Sequence, residues 1–129
     1  MAQILVIEDE LGIQKLLEEV LGSAGHVVEV VTTGEEGLTY CLSASPDLVM
    51  VDTNLPGMSG FEVTDRLRRK DKDLRIIACA GTYGLEQRTL DCGADLFLQK
   101  PYHVKGLLET VEVALGINRE STEKGPGAP

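Results

Sequence analysis

Five short apolar runs alternate with segments of helical period, and few folds can accommodate that alternation. The runs are Gln3 to Ile7, Val27 to Val31, Leu48 to Val51, Leu74 to Cys79 and Leu96 to Leu98. They are rich in Val, Ile and Leu and lack polar alternation, as strands covered on both faces do. The first helix, Leu11 to Ala24, places Leu16, Leu17, Val20 and Leu21 on one stripe and stops at Gly25. The last, Val104 to Leu115, offers Leu107, Leu108, Val111 and Leu115 before Gly116. Thr33-Gly34-Glu35-Glu36, Ser59-Gly60-Phe61-Glu62 and Gly84-Leu85-Glu86 start the middle three. Five β/α repeats predict a parallel sheet with right-handed crossovers and helices on both faces.

With 129 residues the chain is expected to form one domain, and its 43% hydrophobic content suffices for one core. From Asn118 onward it turns polar and Gly/Pro-rich, so the expected division is a domain over 1–117 and a disordered tail or linker stub over 118–129. The net charge of −9 speaks against gripping nucleic acid or an anionic membrane and in favour of a protein or metal partner. Cys41, Cys79 and Cys92 are odd in number and in no CxxC pair, which predicts reduced thiols in a cytosolic compartment. No apolar run nears the roughly 18 residues of a membrane span, and no signal peptide precedes the first strand. A soluble, cytoplasmic protein is expected.

Chemistry concentrates where strands end. In an open parallel sheet the loops at the carboxyl ends of the strands converge on the ligand. Glu8, Asp9, Asp52 and Lys100 all fall at such ends. Asp52 closes Leu48-Val49-Met50-Val51 and precedes a turn, Thr53 to Gly60, where a carboxylate can hold a metal, act as a nucleophile, or both. Three carboxylates drawn together require a cation, and an all-oxygen set with open positions suits Mg²⁺ or Mn²⁺. Lys100 would serve as a point charge for a phosphoryl oxygen. Other charged residues have plainer readings: Glu10 as a helix N-terminal acid, and Arg66, Arg68, Arg69, Lys70 and Lys72 as a solvated basic last turn. His26 and His103 lack partners at metal or triad spacing and are expected to be structural.

Three pieces in order, Ile4-Leu5-Val6-Ile7-Glu8-Asp9-Glu10, Asp52 with Leu55-Pro56-Gly57-Met58-Ser59-Gly60, and Gly93-Ala94-Asp95 leading to Lys100-Pro101, carry a specific resemblance. Over Met1 to about Ile117 the chain resembles the receiver domain of two-component response regulators. The resemblance implies an α/β flavodoxin-like, doubly wound sheet of five parallel strands in the order 2-1-3-4-5 with five helices. It implies that Asp52 accepts a phosphoryl group from a histidine kinase or histidine phosphotransfer protein, and that output is a changed choice of protein partner. Asp9 then matches a direct Mg²⁺ ligand, Glu8 supports it through water, and Asn54 supplies a backbone carbonyl. Lys100 matches the lysine that pairs with phosphoryl oxygens, and its bond to Pro101 is implied to be cis. The domain would catalyse only its own phosphorylation and dephosphorylation, and so is not a turnover enzyme.

One family feature is absent. The fourth strand usually ends in Ser or Thr, whereas Ile76-Ile77-Ala78-Cys79 is followed here by Ala80-Gly81-Thr82. Ala80 removes the hydroxyl that draws the loop onto the phosphoryl group. Thr82 stands as the alternative source, because Gly81 permits unusual backbone geometry and the stretch to Lys100 is a couple of residues short. Phe97 matches the aromatic that turns inward in the family's switch. A pseudo-receiver whose output ignores phosphate is the runner-up reading. A phosphatase using an aspartyl intermediate is disfavoured, because its second Asp would fall at Asn54.

Overall fold

The computed structural model describes residues 1–117, so the expected tail lies outside the described residues. The elements alternate strictly: β1 (Gln3–Ile7), α1 (Leu11–Ser23), β2 (Val27–Val31), α2 (Gly34–Ser43), β3 (Leu48–Asp52), α3 (Gly60–Lys70), β4 (Ile76–Ala80), α4 (Glu86–Asp91), β5 (Leu96–Gln99) and α5 (Val104–Leu115). The strands form one parallel sheet in the order β2-β1-β3-β4-β5. This is the flavodoxin-like order.

Successive side chains of a strand point to opposite faces, so the sheet divides the core in two. Ile4, Val6, Met50 and Ile77 pack with Leu17 and Leu21 of α1 and with Leu107 and Val111 of α5. Leu5, Ile7, Val49, Val51 and Ala78 pack with Val63 and Leu67 of α3. β1, β3 and β4 are almost wholly buried, as the unbroken apolar runs require. β2 and β5 are the edges and are only partly covered, so Val27 stays exposed although its run reads like an interior strand.

Several boundaries and faces depart from the expectation. β4 starts at Ile76 rather than Leu74, because the Leu74 N–H bonds back to Asp71 O and its side chain caps the α3-side core from a turn. β3 includes Asp52 and β5 extends to Gln99, each one residue beyond its apolar run. Leu16 faces solvent, and Ile13 takes its place against the core beside Leu17, Val20 and Leu21. On α5, Ala114 joins the buried face.

Side-chain caps set the starts of α2 and α3. Thr33 and Glu36 form a reciprocal capping box at α2. Ser59 Oγ accepts from the Glu62 N–H at α3. A Cβ at Gly60 would collide with the Asp52 carbonyl oxygen, so only glycine lets α3 start against the backbone that carries Asp52.

Candidate functional site

The carboxyl ends of β1, β3 and β5 bring four charged side chains to one cavity. β1 delivers Glu8, whose N–H donates to Val31 O at 3.1 Å and whose carbonyl accepts from Gln14 Nε2 at 2.6 Å. β3 delivers Asp52, whose Oδ1 accepts from the Asn54 N–H at 3.2 Å. β5 delivers Lys100, whose N–H donates to Ala80 O at 2.8 Å. Lys100 Nζ bridges the other two strands, 2.9 Å from Glu8 Oε1 and 3.1 Å from Asp52 Oδ2.

Glu8 and Asp52 are buried, while Asp9 stands exposed at the mouth. One oxygen from each of the three lies within 4.8 Å of the others. Burial pushes the Glu8 carboxyl above its ordinary range, against the hydrogen bond from Lys100. For Lys100, burial opposes the charge, but the Glu8 hydrogen bond and the Asp52 charge outweigh it and hold the ammonium above its ordinary value.

The donor chemistry fits a hard divalent cation. Three carboxylates against one ammonium leave two negative charges uncompensated, and every nearby donor is oxygen. Both Glu8 oxygens are engaged, Oε1 by Lys100 and Oε2 by the Glu10 N–H. Asp52 is engaged likewise, Oδ1 by the Asn54 N–H and Oδ2 by Lys100, while Asp9 stands at the cavity mouth. Glu10 sits at the N-cap of α1 without a side-chain capping bond and stands on the cavity rim.

The structure gathers most of the residues singled out in the sequence. Asp9, Asp52, Asn54, Thr82 and Lys100 line the cavity directly, which has a volume of about 420 Å³. The Lys100-Pro101 peptide is cis. Ala80 is buried at the end of β4, Thr82 is exposed on the loop beyond it, and Phe97 is half-buried in β5. The three cysteines are free, with Cys79 buried in the core and Cys41 and Cys92 half-buried. His26 Nδ1 accepts from the Ala2 N–H at 3.3 Å, and its Nε2 lies 3.6 Å from Glu112 Oε2.

The solvated reading of the basic cluster fails at Arg68. Its Nε donates to Gly93 O at 2.8 Å, and its outer nitrogens reach Leu74 O at 2.6 Å and Asp95 Oδ2 at 2.9 Å. Arg66 and Arg69 do behave as surface residues, paired one turn back with Glu62 and Asp65. Gln14, Thr53 and Gln99 also escaped the sequence reading. Thr53 is buried on the cavity wall, and the two glutamines hold backbone carbonyls of the site. Gln99 had a positional signal, since it immediately precedes Lys100 at a strand end. Gln14 had none.

Comparison with known proteins agrees with this geometry. Residues 4–112 match the family model of the response regulator receiver domain. The transcriptional regulatory protein AfsQ1 of Streptomyces coelicolor is 36% identical over 125 residues, covering 95% of this chain and 56% of that protein. The uncharacterized transcriptional regulatory protein YkoG of Bacillus subtilis is 34% identical over 122 residues, covering 93% of this chain and 54% of its own length. The chain thus spans about half the length of these curated relatives. Among solved structures, the response regulator TrrA of Thermotoga maritima in complex with Mg²⁺-BeF superposes with a TM-score of 0.83 at 34% identity, covering 88% of this chain and 99% of that one. A response regulator structure from Chloroflexus aurantiacus gives 0.86 at 28% identity, covering 90% and 98%. With the acidic cluster, the bridging lysine and the 2-1-3-4-5 sheet in place, the chain belongs to the response regulator receiver domain family of two-component systems.

Proposed function

We propose that this receiver domain accepts a phosphoryl group on Asp52 from a phosphohistidine of a histidine kinase or histidine phosphotransfer protein, and that the modified domain changes its choice of protein partner. The observation that carries the reading is Asp52 itself, buried at a strand end with one oxygen 3.1 Å from Lys100 Nζ and two further carboxylates within 4.8 Å. A structural acid would need neither the second and third carboxylate nor the lysine.

Asp52, Asp9, the Asn54 carbonyl and, through water, Glu8 would hold Mg²⁺, which supplies charge neutralisation to the phosphoryl oxygens. A carboxylate oxygen of Asp52 attacks phosphorus while the P–N bond of the donor breaks. The electron pair returns to the imidazole nitrogen, which takes up a proton. Asp52 enters as the anion, so no general base is needed. Lys100 faces the developing charge with its Nζ already placed by Glu8, so positioning and electrostatics dominate the barrier. The Asn54 N–H holds Asp52 Oδ1 and fixes the rotation of the carboxylate.

The domain catalyses only its own modification and is not a turnover enzyme. Partners are proteins rather than nucleic acid, in keeping with the net charge of −9. Three free thiols among the described residues support a cytoplasmic setting. Among the described residues no helix is long and apolar enough to cross a membrane.

The test is intact mass after incubation with acetyl phosphate. One phosphoryl mass should appear with Mg²⁺ and vanish with chelator or in Asp52→Asn. Stable gain of that mass by Asp52→Asn would overturn the assignment, and failure of the native chain to gain it would favour a pseudo-receiver.

A further inference from the structure

We propose that Gln99 is the positioning residue for Lys100, and that its carboxamide anchors the end of β4 where Ala80 offers no side-chain hydroxyl. The proposal rests on the phosphoacceptor reading for its kinetic consequence but not for its geometry. Gln99 is the last residue of β5 and lies opposite Ala80 in the parallel register. Its Nε2 donates to two carbonyls, Ala80 O at 3.0 Å and Lys100 O at 3.2 Å. Ala80 O accepts in addition from the Lys100 N–H at 2.8 Å. Both lone pairs of that carbonyl are therefore taken, and Lys100 is held on both sides of its Cα.

This matters because Lys100 must aim a long, flexible side chain at two carboxylates on two other strands. Four torsions separate its backbone from Nζ, so small drifts of the peptide are amplified at the ammonium. A glutamine turned onto main-chain carbonyls surrenders rotamer freedom and solvent, and what it secures here is the backbone from which Lys100 starts. No other side-chain bond to Ala80 O occurs among the described residues. The loop that follows, from Gly81 to Leu85, contains two glycines and leaves β4 at the pinned carbonyl. Gln99 thus fixes one end of that loop without touching the metal-binding carboxylates.

Gln99→Met keeps the length and bulk of the side chain and removes both N–H donors. Three measurements on the full chain separate positioning from simple loosening: the initial rate of phosphorylation by acetyl phosphate, the Mg²⁺ dissociation constant by calorimetry, and amide hydrogen exchange at Lys100 and Gly81. The expected result is a rate reduced on the order of ten- to a hundredfold, an unchanged Mg²⁺ constant, and faster exchange at both amides. Gln99→Glu, which sets an acceptor against two carbonyls, should show the same split. A rate equal to that of the native chain, or a rate and Mg²⁺ affinity that fall together, would overturn the proposal. If the native chain takes no phosphoryl group, the functional reading fails by itself. Exchange at Lys100 and Gly81 then decides Gln99 alone: faster exchange in Gln99→Met supports the anchor and unchanged exchange overturns it.

Discussion

Arg68 lies in the last turn of α3, and each of its three guanidinium nitrogens donates within the protein. Besides Gly93 O, Leu74 O and Asp95, it donates to Asp71 O at 3.2 Å and Lys72 O at 3.0 Å. Asp95 Oδ2 in turn accepts from the Ile76 N–H, so one arginine stitches the α3–β4 loop to the turn before β5. Gly93, at φ +113, carries the other half of the fit: a Cβ there would press on the Arg68 stem. Removing one partner of a mostly buried charge pair strands the other. Discounted for the residual exposure of Arg68, the expected cost of Arg68→Ala is about 2–3 kcal/mol, read as a shift in urea midpoint. Arg66→Ala and Arg69→Ala should each cost about 0.5 kcal/mol or less, since exposed i,i+4 pairs contribute little. Equal shifts for all three would show the stitching to be irrelevant. The sequence presents these arginines as one basic run, and charge pattern alone cannot separate them. What distinguishes Arg68 is acceptors brought from 25 and 27 residues away by the fold. The acidic residues were readable for the opposite reason. Asp52 closes one apolar strand and Asp9 follows the end of another, and an acid at the end of an apolar run is visible without tertiary information.

At the scale of elements, the end of β4 and the short α4 govern how phosphorylation could be felt. α4 has six residues and is tied to α3 by Arg88, 3.8 Å from the centre of the Phe61 ring. Its start was readable from Gly84, whose φ of +84 ends the loop, but its length was not, because so short a helix carries too few turns for a period. Ala80 is buried, and Thr82 stands exposed on the cavity wall. With its hydroxyl missing and Ala80 O held by Gln99, the β4–α4 loop should respond weakly to a group on Asp52. Allosteric couplings are typically about 1–3 kcal/mol, and one charge-assisted hydrogen bond of about 1.5–3 kcal/mol accounts for most of that. Ala80→Thr should therefore enlarge the amide and Phe97 ring shifts produced by beryllofluoride, while Thr82→Ala leaves the small native response as it is. A full native response at Phe97 that Thr82→Ala erases would make Thr82 the switch hydroxyl instead.

For the whole molecule, the strand runs and helix starts foretold a parallel α/β sheet, while the order 2-1-3-4-5 came with the family resemblance. Edge exposure at β2 was not legible, because an apolar run does not state how many neighbours its strand has. The assembled sheet has two global consequences that can be measured. The first is metal linkage: a cation bound only by the folded state stabilises it by about 1.4 kcal/mol at ten times its dissociation constant. Asp9→Ala should abolish this Mg²⁺-dependent rise in Tm. It should leave the metal-free protein as stable as before or slightly more so, since one of three crowded carboxylates is gone. Marked destabilisation of the metal-free variant would contradict a shared acidic pocket.

The second consequence is alkaline instability rooted beneath the same cavity. Burial, outweighing a hydrogen bond with Tyr102, pushes the Cys79 thiol up to about 12 from an ordinary 9.0. Burial likewise raises the Tyr102 hydroxyl, helped by the Cys79 charge, and Lys100 is held above its ordinary value despite its burial. All three groups keep their protons longer in the folded chain than in the unfolded one. Below pH 9.0 the thiol is protonated in both states and its contribution is fully present. Above that, the unfolded chain binds fewer protons than the folded one, so stability declines as pH rises toward the folded pKa. A single such group changes stability by up to about 1.4 kcal/mol per pH unit. Urea midpoints should thus drop steadily above pH 9.0, and Cys79→Ala should make that drop shallower by about one proton's worth, whatever it costs at neutral pH. An identical slope in the two proteins would mean that the Cys79 thiol ionises as freely in the folded chain as in the unfolded one.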